Sequence, residues 1–430
     1  FFDLSMLQSL GIGGVLVVSI SMMMALTLLP ATLSVLGPNI DSLRILPKRN
    51  LTGGYWYRLS RWVMRHPVVV LVPLIVLLVV LGTPFLRVKL GVPWVNILPA
   101  TVESRQGWDL LTSSIGEGQT SPILLVYQSP TTVYSEENLS ALRDATNWLQ
   151  KDHRVTSVDS IVPFNTPSDL TQYSSLLSSG QGHPNQQVQE AIDQLSSDSV
   201  SLIRVYTTGS PVSDEVAGLV QDLRDAPANG DMTLFVSGSA ADMIDTIDSM
   251  YSDFPLAIVY IFGATYVLLF MLFKSVLLPL KAVLMNALSI SASYGALVLI
   301  FQDGNLQNVL SFTSSGIIEA TAPIVLFCVV FGLSMDYEVF LLSRVKEIYD
   351  ETHDNTQSVS EGLEKTGSII TSAALLMVIV CGSFAFADIV IVKLLGVGLG
   401  IAIAIDASII RALIVPALMR LMGQLNWWAP

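Results

Sequence analysis

Charged side chains are scarce in this chain of 430 residues. They make up only 13% of the sequence, whereas hydrophobic residues make up 51%. Soluble domains carry about 25% charged residues, so this composition excludes an ordinary soluble protein. Cysteine is also rare, and Cys328 and Cys381 both lie inside long apolar segments. We therefore expect no disulfide in the polar part of the chain.

Residue patterns for metal or nucleotide chemistry are also lacking. The four histidines are scattered and have no metal-ligand spacing. The glycine clusters at 11–14 and 396–398 lie within apolar runs, and neither is followed by the Lys and Ser or Thr of a phosphate-binding loop. We therefore expect no cofactor, no metal and no ATP. Any active transport would have to use an ion gradient.

The net charge of −13 is concentrated in one part of the chain. Residues 89–253 hold 21 acidic and 7 basic residues, a balance of −14, which leaves +1 for the remainder. That remainder contains seven apolar runs, each long enough to cross about 30 Å of hydrocarbon. The runs are residues 10–36, 68–88, 255–273, 277–301, 322–343, 367–387 and 394–421. The sequence therefore predicts an α-helical polytopic membrane protein with about seven transmembrane helices.

The loop between the first two runs is rich in basic residues. Residues 38–67 contain six Lys or Arg residues and one acid, Asp41. Short loops of this kind stay in the cytoplasm. Crossing parity then places the block at 89–253 on the extracytoplasmic side of a plasma (inner) membrane.

The acidic block has alternating strand and helix patterns. Their order is β-α-β-β-α-β, which is typical of a ferredoxin-like fold and predicts an extracytoplasmic α+β ferredoxin-like porter domain. A polar insertion at 165–199 interrupts it. The predicted strands are 123–127, 155–162, 202–206 and 233–236, and the predicted helices are 136–149 and 213–224.

An internal repeat is visible, because residues 10–37 line up with residues 395–423. A duplicated bundle is typical of secondary transporters. Only the last helix of a first copy precedes the acidic block, so we interpret the chain as the C-terminal part of a longer protein. The expected divisions are the last helix of a truncated first repeat at 1–37, a cytoplasmic linker at 38–67, a transmembrane helix at 68–88, the porter domain at 89–253, a five-helix bundle at 254–423 and a tail at 424–430.

Two acids lie deep in the apolar run that begins near Pro323. Asp336 is 13 residues into this run, and Glu338 follows it. Intramembrane acids are costly and usually mark ion or proton pathways. Asp336 with Tyr337 supplies a titrating carboxylate and a hydroxyl that can accept and donate a proton. The alternative is a structural acid bonded to a neighbouring helix, which is favoured for Glu338 because it points roughly opposite Asp336.

Further polar residues lie in the same membrane region. Asp406 is roughly 20 Å from the outer end of its run, about as deep as Asp336. Asp406 is therefore a candidate for the proton relay. Arg411 lies about 7 Å nearer the cytoplasm and could pair with either acid or extend to the membrane surface, so a structural clamp between Asp406 and Arg411 is the alternative to the relay role. Lys281 either pairs with an acid or simply ends its helix. Ser334, in the same motif as Asp336, is a further candidate.

Several short motifs are spread over the chain. They are residues 273–275, 279–282, Asn286, 332–340, 343–344, Gly367, 370–374, Phe384, 406–408, Arg411, 416–417 and 426–430. Together they resemble the C-terminal half of the MMPL family of the resistance-nodulation-division superfamily. The resemblance implies an Asp-Tyr pair in the fourth helix of each half, with the two pairs facing each other and relaying protons. Here it assigns that role to Asp336 and Tyr337, with the other pair in a missing N-terminal half.

The resemblance leads to a functional hypothesis. We expect the C-terminal half of a proton-motive-force-driven exporter of lipidic or amphipathic molecules, which is not an enzyme. The alternative is a non-transporting sterol-sensing-like receptor or protein-export accessory on the same scaffold. The expected partners are the lipid bilayer, the substrate and the N-terminal half. A homo-oligomer is left open, and no nucleic acid is expected.

Overall fold

The computed structural model describes residues 5–37, 54–92, 95–162, 170–178, 186–226 and 231–428. It contains two compact units, Phe1–Pro99 with Ser249–Pro430, and Ala100–Asp248. The strands are β1 (Leu90–Gly91), β2 (Ile123–Gln128), β3 (Val155–Asp159), β4 (Val200–Thr207), β5 (Thr233–Ser237) and β6 (Ile318–Glu319). The helices are α1 (Ser5–Leu36), α2 (Tyr55–Arg65), α3 (Pro67–Gly82), α4 (Glu103–Ile115), α5 (Glu117–Thr120), α6 (Glu136–Leu149), α7 (Leu170–Ser178), α8 (Gln186–Leu195), α9 (Asp214–Asp225), α10 (Ser239–Phe273), α11 (Leu277–Leu297), α12 (Gln307–Leu310), α13 (Thr321–Thr352), α14 (Asn355–Ser383), α15 (Val390–Ile405) and α16 (Val415–Met422).

Seven helical segments in the described part of the chain are long and apolar enough to cross a membrane. They confirm the number predicted from the apolar runs. Some helices are longer than their runs, because backbone hydrogen bonding continues where the side chains become polar. Thus α14 begins at Asn355, where the Asp354 side chain caps it by accepting hydrogen bonds from two backbone N–H groups. The seven segments are Ser5–Leu36, Pro67–Arg87, Ser239–Phe273, Leu277–Gln302, Thr321–Thr352, Asn355–Phe386 and Val390–Trp427.

The segment 38–67, for which the sequence predicts a cytoplasmic linker, contains a short helix. Residues 38–53 lie outside the described part, but α2 occupies most of the rest. One side of α2 is buried, with Val63 at 0% and Met64 at 4% exposure, while Arg61 on the other side is exposed. The sequence did not predict this helix, because it is apolar on one face only and carries three arginines, so it does not form an apolar run.

The membrane helices pack closely where small residues meet. At Gly295 of α11, an added Cβ would lie 1.7 Å from the carbonyl oxygen of Leu81 in α3. At Gly82 it would lie 2.6 Å from the Ser291 hydroxyl. Small residues that let backbones approach are the usual means of packing helices in lipid. They position α11 so that its polar side chains lie inside the bundle.

The unit Ala100–Asp248 contains a four-stranded sheet with the order β3-β4-β2-β5, in which all neighbours are antiparallel. The strands and the main helices α6 and α9 follow one another in the predicted order β-α-β-β-α-β, with α7 and α8 in the polar insertion. Ser135 and Ser213 cap α6 and α9 by accepting backbone hydrogen bonds. Strand β3 is shorter than predicted, since it ends at Asp159 instead of 162.

Alternating side chains of this sheet form the core of the unit. Ile123, Leu125 and Tyr127 on β2 are buried, whereas the residues between them are only partly buried. Leu142 of α6 and Leu219 of α9 are fully buried in the same cluster. The period of two along the strand therefore directs one face towards the helices.

Candidate functional site

The motif at 332–340 lies within α13, where successive side chains turn by about 100°. Asp336 is exposed, Tyr337 is partly buried, and Glu338 is 4% exposed. The two acids therefore point in roughly opposite directions. Glu338 faces the interior of the bundle, and Asp336 faces an uncovered surface of this chain.

The apolar run at 394–421 suggests one continuous α-helix. The structure instead has a change of helix type within this segment. Between α15 and α16, residues Asp406–Ile414 form a π-helical segment. In a π-helix the backbone bonds run from i to i+5, so side chains five residues apart come close together. In an α-helix they would point about 140° apart. The widened turn thus brings Arg411 onto Asp406.

Asp406 and Arg411 form a buried ion pair. The Arg411 Nε and Nη2 groups donate to Asp406 Oδ2 at 2.9 and 2.7 Å. The side chains are only 5% and 3% exposed, respectively. Charge-assisted bonds of this kind are strong, and burial prevents their screening by salt. The sequence allowed either a structural clamp between Asp406 and Arg411 or a relay role. The contact that a clamp requires is present.

Arg411 also joins the π-helical segment to α13. Its Nη2 donates to the Ser334 carbonyl and, at 3.1 Å, to the Ser334 hydroxyl. That hydroxyl donates to Asn286 Oδ1 of α11 at 2.5 Å. The Arg411 guanidinium lies 5.3 Å from the centre of the Tyr337 ring, within cation–π range. One cation therefore contacts an acid, a hydroxyl and an aromatic ring on two different segments.

Lys281 and Glu338 form a second buried group on α11 and α13. Their side chains are 6% and 4% exposed, so Lys281 does not simply end its helix in solvent. The two opposite charges interact electrostatically. Lys281 Nζ and Glu338 Oε1 have no hydrogen-bond partner among the residues that the structure describes. Neutralising one of these charges would leave the other buried and uncompensated, which is costly.

The interior between α11, α13 and the π-helical segment is therefore polar. A buried polar atom without a partner costs free energy, so each such atom calls for an explanation such as a bound water, an ion or a functional role. The sequence did not single out Ser289, because it is one of three serines at 289, 291 and 293 in the same run and nothing local distinguishes it from the other two. Within the described ranges, the orphaned side-chain atoms of this region are Lys281 Nζ, Asn286 Nδ2, Ser289 Oγ, Glu338 Oε1, Asp406 Oδ1 and Arg411 Nη1.

The structure brings most of the predicted residues together, but not all. Tyr337, Asp406, Arg411 and Ser334 share one cluster, linked by the contacts above. Asp336 lies on the other side of α13 from Glu338 and is exposed. Among the described residues, no group of three or more His, Cys, Asp or Glu side chains could hold a metal ion.

Comparisons with known proteins agree on one family. A sequence model of the MMPL family matches residues 1–70 and 96–430. The trehalose monomycolate exporter MmpL3 of Mycobacterium tuberculosis is 29% identical over 460 residues, covering 100% of this chain and 46% of that protein.

Two other relatives show the same pattern. The membrane protein YdfJ of Bacillus subtilis is 30% identical, covering 100% of this chain and 54% of that protein. The mycolic acid-containing lipids exporter MmpL11 of Mycolicibacterium smegmatis is 30% identical, covering 99% of this chain and 42% of that protein. The chain spans about half the length of the curated relatives it matches.

Proposed function

Because this chain belongs to the MMPL family and is a multi-pass membrane protein, we propose that it is the C-terminal half of a proton-motive-force-driven exporter. The observation that carries the proposal is the Arg411 cluster. A buried guanidinium contacts Asp406, Ser334 and Tyr337 inside a bundle of membrane-spanning helices. Such an arrangement is expensive in lipid and is typical of proton-coupled transport.

In the proposed mechanism Asp336 is the group that takes up the proton. Its exposed position gives access from a surface that this chain leaves open. Tyr337, the next residue, faces the Arg411 guanidinium. Protonation of Asp336 removes one negative charge beside this ring and cation, and charge changes have large effects where the dielectric is low. The hydrogen bonds from Arg411 to α13 then respond, and the packing between α13 and the π-helical segment shifts.

The remaining parts of the proposal concern the polar unit. We assign Ala100–Asp248 to an extracytoplasmic porter domain with a ferredoxin-like fold. Its sheet order and its β-α-β-β-α-β succession support that assignment. The basic residues at 38–67 support the orientation. In this scheme residues 1–37 are the last helix of the first repeat, and the bundle motion drives the porter domain.

The proposed substrates are lipidic or amphipathic molecules. Support comes from the names of two relatives, which are exporters of trehalose monomycolate and of mycolic acid-containing lipids. The exposed apolar surfaces of the membrane helices would allow such molecules to enter from the bilayer.

The test is Asp336→Asn in the full-length protein reconstituted in liposomes with an imposed pH gradient. The substitution keeps the shape but removes titration, so we expect gradient-driven export of a labelled lipid to be lost. Because Asp336 is exposed, the melting temperature should hardly change. Tyr337→Phe should reduce export more mildly.

The matched control is Asp350→Asn. Asp350 is exposed on the same helix, but it lies beyond the apolar run and pairs with Lys346 at 3.1 Å. This variant should export at the wild-type rate. Wild-type export by Asp336→Asn would refute the relay and favour a receptor or accessory on the same scaffold. Glu338→Gln is unsuitable as a neutral control, because Glu338 is buried with Lys281.

A further inference from the structure

The short helix α2 has one face fixed to the bundle. Val63 and Met64 are buried there. The Trp56 ring fits against Gly367 of α14, where an added Cβ would lie 2.8 Å from ring atoms. Glu364 of α14 also accepts a hydrogen bond from the Gly54 N–H at 2.8 Å. The orientation of α2 is therefore set by its contacts with α14.

These contacts place α2 at the level where two spans enter the hydrocarbon. Only His66 separates α2 from the span that begins at Pro67. Gly367, the residue under Trp56, is where the apolar run of α14 begins, two residues after Lys365 and three after Glu364. An amphipathic helix at this level lies in the headgroup region of a bilayer.

The outward face of α2 has the composition of a lipid headgroup contact. Tyr55 and Trp62 are 65% and 55% exposed, and Arg61 and Arg65 are exposed beside them. The helix contains no acidic residue. Arg61 is held in place by Tyr57, whose hydroxyl accepts a hydrogen bond from Nη1 at 3.2 Å and whose ring centre lies 5.4 Å from the guanidinium. Aromatic rings and arginines are the side chains favoured at membrane interfaces.

We propose that this face of α2 binds the anionic phospholipid headgroups of the adjacent leaflet. A guanidinium can hold a phosphate oxygen pair with two parallel hydrogen bonds, and the two exposed aromatic rings would lie among the headgroups. The occupant is a lipid of the bilayer itself, since the face adjoins two spans. The site does not depend on the transport proposal, because it uses none of the buried polar residues.

The test compares anionic and zwitterionic lipids on the full-length protein. Protein reconstituted with equal amounts of phosphatidylglycerol and phosphatidylcholine is extracted into mild detergent, and the retained lipids are counted by mass spectrometry. We expect enrichment of phosphatidylglycerol in the wild type. A basic residue near a charged surface contributes roughly fivefold, so Arg61→Gln with Arg65→Gln should lower the enrichment by up to about 25-fold. Raising the salt to 0.5 M should weaken it as well.

Arg87→Gln is the matched control. Arg87 is 60% exposed at the far end of the span that begins at Pro67, where it pairs with Asp303 at 2.7 Å. The Arg87→Gln variant should show the same phosphatidylglycerol enrichment as the wild type. Inorganic phosphate added at constant ionic strength should not displace the bound lipid. Any of three results would overturn the proposal. The wild type could retain both lipids equally, Arg87→Gln could lose as much phosphatidylglycerol enrichment as the double variant, or phosphate could displace the lipid. If the double variant is not recovered, Arg65→Gln alone supports the same comparison.

Discussion

Neutralising Asp406 should destabilise the bundle strongly. In Asp406→Asn, Arg411 keeps its charge, yet it is only 3% exposed and loses the carboxylate that now lies 2.7 Å from Nη2. Removing one partner of a buried ion pair typically costs about 3–5 kcal/mol, because the remaining charge is uncompensated. Replacing both charges often costs little, so adding Arg411→Met should recover most of the lost stability.

The assay is thermal unfolding of the full-length protein in detergent, together with gradient-driven export in liposomes. Asp303→Asn is the matched control, since it removes an ion pair of the same 2.7 Å length whose arginine is 60% exposed. An exposed pair contributes under about 1 kcal/mol, so this control should unfold almost like the wild type. A double variant that is stable but inactive would indicate that the pair takes part in proton coupling.

The reasoning fails if Asp406→Asn unfolds no more easily than the control. That result would mean that Arg411 finds other compensation, and that the buried pair does not hold the π-helical segment against α13. A double variant that is both stable and fully active would instead reduce the pair to a structural clamp.

Two further predictions concern the polar unit and the orientation of the chain. In a background with Cys328 and Cys381 replaced by serine, Ser113→Cys should react with an impermeant maleimide on intact cells, and Glu351→Cys should react only after permeabilisation. Ser113 and Glu351 are both exposed, so the reagent can reach either position. The reverse labelling would contradict the proposed topology. The hydrogen bonds from Arg154 lower the pKa of the Asp152 carboxyl in the folded protein. The ionised carboxylate therefore stabilises the unit Ala100–Asp248 above about pH 4, the pKa of an unfolded Asp. This stabilisation is lost as the pH falls through the pKa of the folded state. Arg154→Gln should therefore lower the melting temperature followed by circular dichroism at neutral pH, and the gap to the wild type should shrink below about pH 4; a gap that does not depend on pH would contradict this linkage.

Local patterns in the sequence determined most of the elements. Apolar runs of about 20 residues predict spans because a helix of that length crosses the hydrocarbon, and seven such segments are present in the described residues. In the polar unit, serine caps and the period of two along β2 are likewise local, so Glu136–Leu149 begins and ends where the sequence predicts. The depth of Asp336 and Asp406 follows from counting residues along a helix.

The way the polar residues meet was decided by tertiary structure. The π-helical segment that brings Arg411 onto Asp406 depends on packing between helices, and no spacing of residues announces it. The burial of Lys281 together with Glu338 depends on how α11 and α13 pack inside the bundle, which the residues of either helix alone do not determine. The helix α2 is apolar on one face only, so it does not form an apolar run, and it is stabilised by Trp56 against Gly367. Periodicity along one chain segment tells which face is apolar, but which face meets which is a property of the packed bundle.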